Sequence, residues 1–368
     1  MFLTARTLTA IAASALAPLL AGQAAAPAPS NGDVALLANH LVAGPDWREV
    51  GTMPGSGWEM RPQRRADGTV AVGNSVADPL ARVVLEPYAG QLRLSHLDRG
   101  LLWQRPLDEL CLHHDPAQVA NALLGQQCVI VVGPGGFVAL DRSSGATRWE
   151  KAVGTGDQRL IDGDLLITLG RVDKDVELRA WALGNGAQAF AVRTRPGSTR
   201  MVAAPHGIAV SDGATCTVWD RSGPRLFELA LATSDVAAHP GGWYLLTADT
   251  LLAVDRTGTP LWQRAVALPH FERGTLATDR AGRCVLTAFM PRSDSGARVT
   301  VHDPVDGGVV FGCELAGLGI AHSKYWHDVR TFAGNRGLVV TSHDAGGQWL
   351  AELGGDDGRQ LARVQFPR

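Results

Sequence analysis

The chain has 368 residues, 45% of them hydrophobic and 19% charged, with 43 glycines and a formal net charge of −2 at pH 7. That composition belongs to a core-forming protein with many turns and excludes a disordered chain. Near-neutral charge without a basic stripe excludes nucleic acid and anionic membrane as partners. The length admits two average domains or one large β domain.

Residues 1–26 read as a signal peptide. Arg6 supplies the positive n-region, "TLTAIAASALAPLLAG" an apolar run of small residues, and Ala24–Ala26 small side chains for cleavage. Thr7–Ala26 is long enough to span a bilayer, but it is poor in Leu, Ile and Phe and contains Pro18. "LLAGQ" (Leu19–Gln23) has the shape of a lipoprotein box with Gln where the acylated Cys would stand, which leaves no thiol to lipidate. The expected product is periplasmic or secreted, with no stable membrane span after processing. Residues 27–57 then form a linker, in which "GPDWREV" (Gly44–Val50) reads as one strand able to close a ring.

From residue 58 onward one phrase recurs in degraded form. "GGFVALDRSSGATRWEKAV" (Gly135–Val153) is an apolar strand ending near Asp, a polar turn closed by Gly, then an aromatic. In chain order the copies are "LSHLDRGLLWQRPL", the Gly135–Val153 phrase, "LRAWALGNGAQAFAV", "TVWDRSGPRLFELAL", "LLAVDRTGTPLWQRAV", "VTVHDPVDGGVVFGC" and "WLAELGGDDGRQLARV". Their turn glycines are Gly100, Gly145, Gly186, Gly223, Gly258, Gly307 and Gly358. A strand-built period of about 35–50 residues means a propeller or a solenoid.

Each unit carries two further strands ahead of this pair. Before Gly145, "AQVANALL" and the β-branched run "CVIVVG" precede "FVALD" and "TRWEKAV". In the opening unit, "TVAVG" (Thr69–Gly73) reads as the partner of "LRLSHL". Four-stranded sheets cannot bury both faces alone, whereas stacking them radially in a closed ring does so. The expected fold is all-β: a β-propeller of seven four-stranded antiparallel blades over 58–368, with eight as the alternative. Repeat residues then have structural duties. Asp98, Asp141, Asp220, Asp255 and Asp303 tighten turns that close at glycines such as Gly145 and Gly258. Trp103, Trp149 and Trp262 pack between sheets.

The Ala-Leu-Asp, turn, Gly, Trp pattern resembles the repeat of the pyrroloquinoline-quinone-like propellers, the superfamily of the quinoprotein alcohol dehydrogenases and of the outer-membrane assembly propeller lipoprotein. It is strongest at Gly135–Val153 and Leu251–Val266 and weakest in the last copy, where Gly354 and Ala362 replace the Asp and the aromatic. The quinoprotein enzymes imply a vicinal Cys–Cys disulfide, a Ca²⁺ held by Glu and Asn, and a catalytic Asp. None of these determinants is found here, so no cofactor is expected and no residue is carried over. Cys111, Cys128, Cys216, Cys284 and Cys313 are odd in number and never adjacent. They read as buried thiols.

Strand order places the second-to-third-strand and blade-to-blade connections on one face of the ring. Length and polarity gather there, in Asn74–Gln91, Arg105–Pro116, Arg171–Asp175, Met290–Ala297, Gly312–Asp328 and Ser342–Gly347. Two of these stretches hold groups able to ligate metal: Cys111, His113, His114 and Asp115, and His322, His327 and Asp328 beside His343 and Asp344. Surface histidines in long loops are common, so no metal or catalytic residue is assigned. Arg171, Asp173, Lys174 and Asp175 read as a solvated turn. The candidate binding face is Tyr325, Trp326, His327, Asp328, His343 and Asp344, because adjacent Tyr and Trp are enriched in protein recognition.

The expected function is an exported, monomeric, non-catalytic scaffold that binds a protein or peptide through this face. Two alternatives stand beside it: a propeller enzyme, a metal-assisted hydrolase or lyase using His and Asp near the axis, and a small-molecule or glycan binder.

Overall fold

The computed structural model describes residues 34–37, 40–43, 48–52, 63–64, 70–72, 75–78, 81, 83–88, 90–96, 99–110, 121–133, 135–154, 158–198, 200–266, 273–289, 297–315, 328–334, 336–344 and 347–367. These residues form strands and turns, with no helix among them. Seven antiparallel four-stranded units follow one another as the blades of a β-propeller.

Blade 1 is Ser75–Asp78, Val83–Tyr88, Gln91–His96 and Gly100–Pro106, and blade 2 is Asn121–Leu124, Cys128–Gly133, Gly136–Asp141 and Thr147–Ala152. Blade 3 comprises Gln158–Asp162, Leu165–Val172, Asp175–Ala182 and Gln188–Thr194, and blade 4 Arg200–Ala204, Gly207–Ser211, Cys216–Trp219 and Arg225–Leu229. Asp235–His239, Gly242–Leu246, Thr250–Asp255 and Pro260–Ala265 build blade 5. Blade 6 uses Arg273–Thr278, Cys284–Phe289, Ala297–His302 and Val309–Leu315, and blade 7 Asp328–Ala333, Gly337–Asp344, Gly347–Gly354 and Gln360–Pro367.

Two readings of the N-terminal part are corrected. Thr69–Gly73 was expected to be the second strand of the opening unit. Instead Val70–Val72 pairs with Gln63–Arg64 and Ser75–Asp78, extending blade 1 to a six-stranded sheet. The second strand is Val83–Tyr88, which turns at Gly90 (φ 76°) into Gln91–His96. Glu86 and Pro87 break its apolar run, so residues 74–91 read as a loop. In the stretch 27–57, where one strand was expected, Val34–Leu37, His40–Ala43 and Arg48–Thr52 form a three-stranded sheet. Its first strand lies beside Gly347–Gly354, so the sheet abuts the last blade.

Burial follows position within the blade. Every residue of Cys128–Gly133 is buried, whereas Thr147–Ala152 buries little besides Trp149. The middle strands are covered by neighbouring blades on both faces and therefore read as continuous apolar runs. Cys128, Cys216 and Cys284 sit in those strands as buried free thiols, and Cys313 is a half-buried one. Burial pushes the Cys216 thiol up to about 12, which leaves it inert at neutral pH.

The blades lock together through the repeated aromatic. Trp103 Nε1 donates to the Arg142 carbonyl at 2.8 Å, Trp149 Nε1 to Leu183 at 2.8 Å, and Trp262 Nε1 to Pro304 at 2.9 Å. Each ring thus caps the third-to-fourth-strand turn of the following blade. The glycine of that turn is required twice over. Gly145 has φ 71°, and a Cβ there would lie 2.8 Å from Trp103 Cδ2. Phe190 on Gly223, Phe227 on Gly258 and Phe311 on Gly358 repeat the contact, so all six junctions between the seven blades use it.

Candidate functional site

The two faces of the ring differ in what their polar groups do. On the face of the third-to-fourth-strand turns, carboxylates are consumed by the backbone. Asp141 Oδ1 accepts the Ser143 and Ser144 amides at 3.0 Å, Asp220 that of Ser222 at 2.8 Å, Asp255 those of Thr257 and Thr259 at 2.8 and 2.9 Å, and Asp303 that of Val305 at 2.8 Å. Donation from Ser143, Arg148 and Ser144 holds Asp141 well below the usual carboxylate range. Asp98 lies outside the described residues.

The arginine after the turn Asp stitches this face inward. Arg142 pairs with Asp78 of blade 1 at 2.8 Å and donates to the Gly125 carbonyl at 2.7 Å. Arg221 pairs with Asp162 of blade 3, and Arg256 donates to the Pro240 carbonyl at 2.7 Å. These groups hold the scaffold and leave little for a ligand.

Three histidines also belong to this face. His206 Nε2 meets the Gly242 carbonyl at 3.0 Å, His239 stacks on Tyr244 with centroids 4.3 Å apart, and His302 Nδ1 meets the Gly307 carbonyl at 3.1 Å. Burial pushes all three below the usual imidazole value, with Arg256, His206 and Arg264 respectively adding in the same direction. The sign follows. The folded state keeps them neutral while the unfolded chain takes up protons near its ordinary value of 6.5, so stability is full above that value and falls as pH drops below it. Melts between pH 7.5 and 5.5 should show a falling midpoint, and His302→Leu should flatten the slope. An unchanged slope in that variant would mean that His302 is not held neutral.

Three of the candidate residues lie at the opposite end of blade 7. Asp328 opens the first strand of blade 7 and lies in direct register with His343 of the second, while Asp344 closes that strand opposite Gly347. The three are therefore brought together at one end of one blade. Tyr325, Trp326 and His327 fall outside the described residues, as do His322 and the Cys111, His113, His114 and Asp115 group. Among the described residues no set of three or more His, Cys, Asp or Glu is placed to hold a metal ion.

The length of this face is redistributed relative to the sequence reading. The strands around 171–175 run to Val172 and from Asp175, so only Asp173 and Lys174 connect them, with Asp173 at φ 56°. Asp175 meets Arg193 at 3.2 Å in the open, as befits a solvated turn. Ser342–Gly347 likewise reduces to two connecting residues between Asp344 and Gly347. Residues 111–120, 290–296 and 316–327, read as loops from the sequence, lie outside the described residues.

One functional-looking group was missed. Asp235, the first residue of blade 5, has a side chain only 2% exposed and is paired with Arg200, the first residue of blade 4, at 2.5 Å. It also accepts the Val236 amide at 2.6 Å and the Leu276 amide of blade 6 at 2.8 Å. Three consecutive innermost strands are thus joined by one carboxylate at this end of the hub. A single Asp in "ATSDVAAH" has no counterpart in the other units, so repeat analysis passes over it.

No family profile and no curated protein matches the chain. Solved structures do. AztD from Citrobacter koseri superposes with a TM-score of 0.58 at 12% identity, covering 91% of this chain and 95% of its own. BamB from Moraxella catarrhalis gives 0.52 at 14% identity, covering 78% and 86%, and a europium-containing methanol dehydrogenase gives 0.51 at 9% identity, covering 81% and 77%. The likeness to these three structures is one of fold, a β-propeller. The described cysteines lie on four separate strands of blades 2, 4 and 6, each a free thiol, so no vicinal disulfide can form among them.

Proposed function

We propose that this propeller is an exported scaffold that works without a cofactor and binds a protein or peptide through the face carrying the blade-to-blade connections. The observation that carries this reading is the asymmetry of the two faces. One is closed by short turns whose Asp and Arg side chains are engaged in the turns and between blades. On the other, strand register brings Asp328, His343 and Asp344 to one end of blade 7. Residues outside the repeat pattern are free to vary, as recognition requires.

The test is site-specific photocrosslinking in the producing cell. A photoreactive residue at His343 or Asp344 should give an adduct of discrete mass, and one at Thr257 on the turn face should not. Equal adducts from both faces, or none from either, would end the proposal. A stoichiometric divalent ion in the purified protein, lost in the His343→Ala variant, would replace it with the metal-assisted enzyme.

A further inference from the structure

Among the described residues, each blade ends in an outer strand whose far edge has no partner within its sheet. Such edges invite pairing with another chain, and proteins blunt them with charge or proline. Blade 2 has Arg148, Glu150 and Lys151 on this strand, blade 4 Arg225 and Glu228, blade 5 Pro260 and Arg264, and blade 7 Arg363. In blade 6 no charge occurs from Gly307 to Cys313, and three valines stand exposed: Val305 at 82%, Val309 at 62% and Val310 at 40%.

A second feature of that strand is unexplained by the fold. The residue after the docking aromatic is Gln104, Glu150, Ala191, Glu228 and Gln263 in blades 1 to 5, but Gly312 in blade 6. Gly312 is in regular register with Thr300, one pair removed from the bulge between Val301 and His302, and its φ is not positive. A Cβ there would meet nothing nearer than the Val299 carbonyl at 3.9 Å. Glycine weakens a strand interior, and where neither φ nor packing demands it, it marks close approach by another backbone or ligand. Blades 1 and 3 also have uncharged edge runs, at Gly100–Gln104 and Ala187–Val192, but neither has this notch.

We propose that the outer edge of blade 6 accepts an extended segment of a partner protein as a fifth strand. The unpaired backbone supplies the hydrogen bonds, and the notch between Val310 and Glu314 takes one apolar side chain of the guest. Asp306 and Glu314, exposed at the two ends of the run, select cationic residues flanking an apolar guest core. Arg298 holds Glu314 at 2.6 Å in the free protein and yields it to the guest. This surface is separate from the face proposed above and does not rest on it.

The probe is a fluorescein-labelled peptide of alternating valine and threonine with a lysine at each end, titrated against the full chain. Saturable binding is expected, with amides of 309–315 gaining protection from hydrogen exchange. Gly312→Val should weaken it by about tenfold or more by filling the notch. The same variant should melt at the same or a higher temperature, since the added side chain has room. Gly312→Arg should do likewise by charging the edge, and His343→Ala should leave peptide binding unchanged. Absence of saturable binding, or binding by both Gly312 variants as tight as by the parent, overturns the proposal. So does self-association of the protein alone that Gly312→Arg abolishes, because the occupant would then be a second copy.

Discussion

Trp149→Ala should cost about 3–5 kcal/mol of stability, as expected for removal of a large buried aromatic that leaves a cavity behind. Trp149 is buried in a fourth strand that is otherwise mostly exposed, and its apolar cluster joins Ala139 and Phe137 of its own blade to Ile161, Leu166 and Trp181 of the next. Its ring stands where a Cβ on Gly186 would be 2.7 Å from Cδ2, and its Nε1 serves the Leu183 carbonyl. Truncation therefore empties the junction between blades 2 and 3 and removes a donor from the turn. Trp149→Phe keeps most of the ring and loses the hydrogen bond, so it should cost only about 1 kcal/mol. Denaturant melts of the three proteins measure both. A loss below about 1 kcal/mol for the alanine variant would mean that the junctions are not where the stability of the ring resides.

The same junctions explain why the architecture was legible in the sequence. Gly145 and Trp103 constrain each other, since the ring leaves no room for a side chain and the turn needs φ 71°. That mutual demand recurs at every junction, so the Gly-to-aromatic phrase survives where strand residues drift. Legibility fails where no such coupling acts. Val83–Tyr88 was missed because its Glu86 and Pro87 interrupt the apolar pattern. Asp235 was missed because its partners, Arg200 and the Leu276 amide, come from other blades far along the chain. The candidate face is harder still. Its residues differ from blade to blade by necessity, so Asp328, His343 and Asp344 could be placed on one face from strand order but not given a chemistry. Strand register brings Asp328 and His343 side by side, which spacing in the sequence does not show.

Arg336→Met should be the most damaging single change of a charged residue, costing about 3–5 kcal/mol. Glu352 lies in the third strand of blade 7 with its side chain only 2% exposed, and Arg336 reaches it with Nε at 2.7 Å and with Nη2. The two ends of that fork offset the cost of taking a carboxylate out of water. Without it the carboxylate stays buried and loses this compensation. Arg336→Met/Glu352→Leu removes the charge together with its partner, and it should recover most of the loss, because an apolar pair of similar volume does not carry that penalty. Melts of the parent, the single and the double variant at pH 7.5 decide it. A single variant as stable as the parent, or a double variant no better than the single, would show that Glu352 is held by other groups and that Arg336 only covers it.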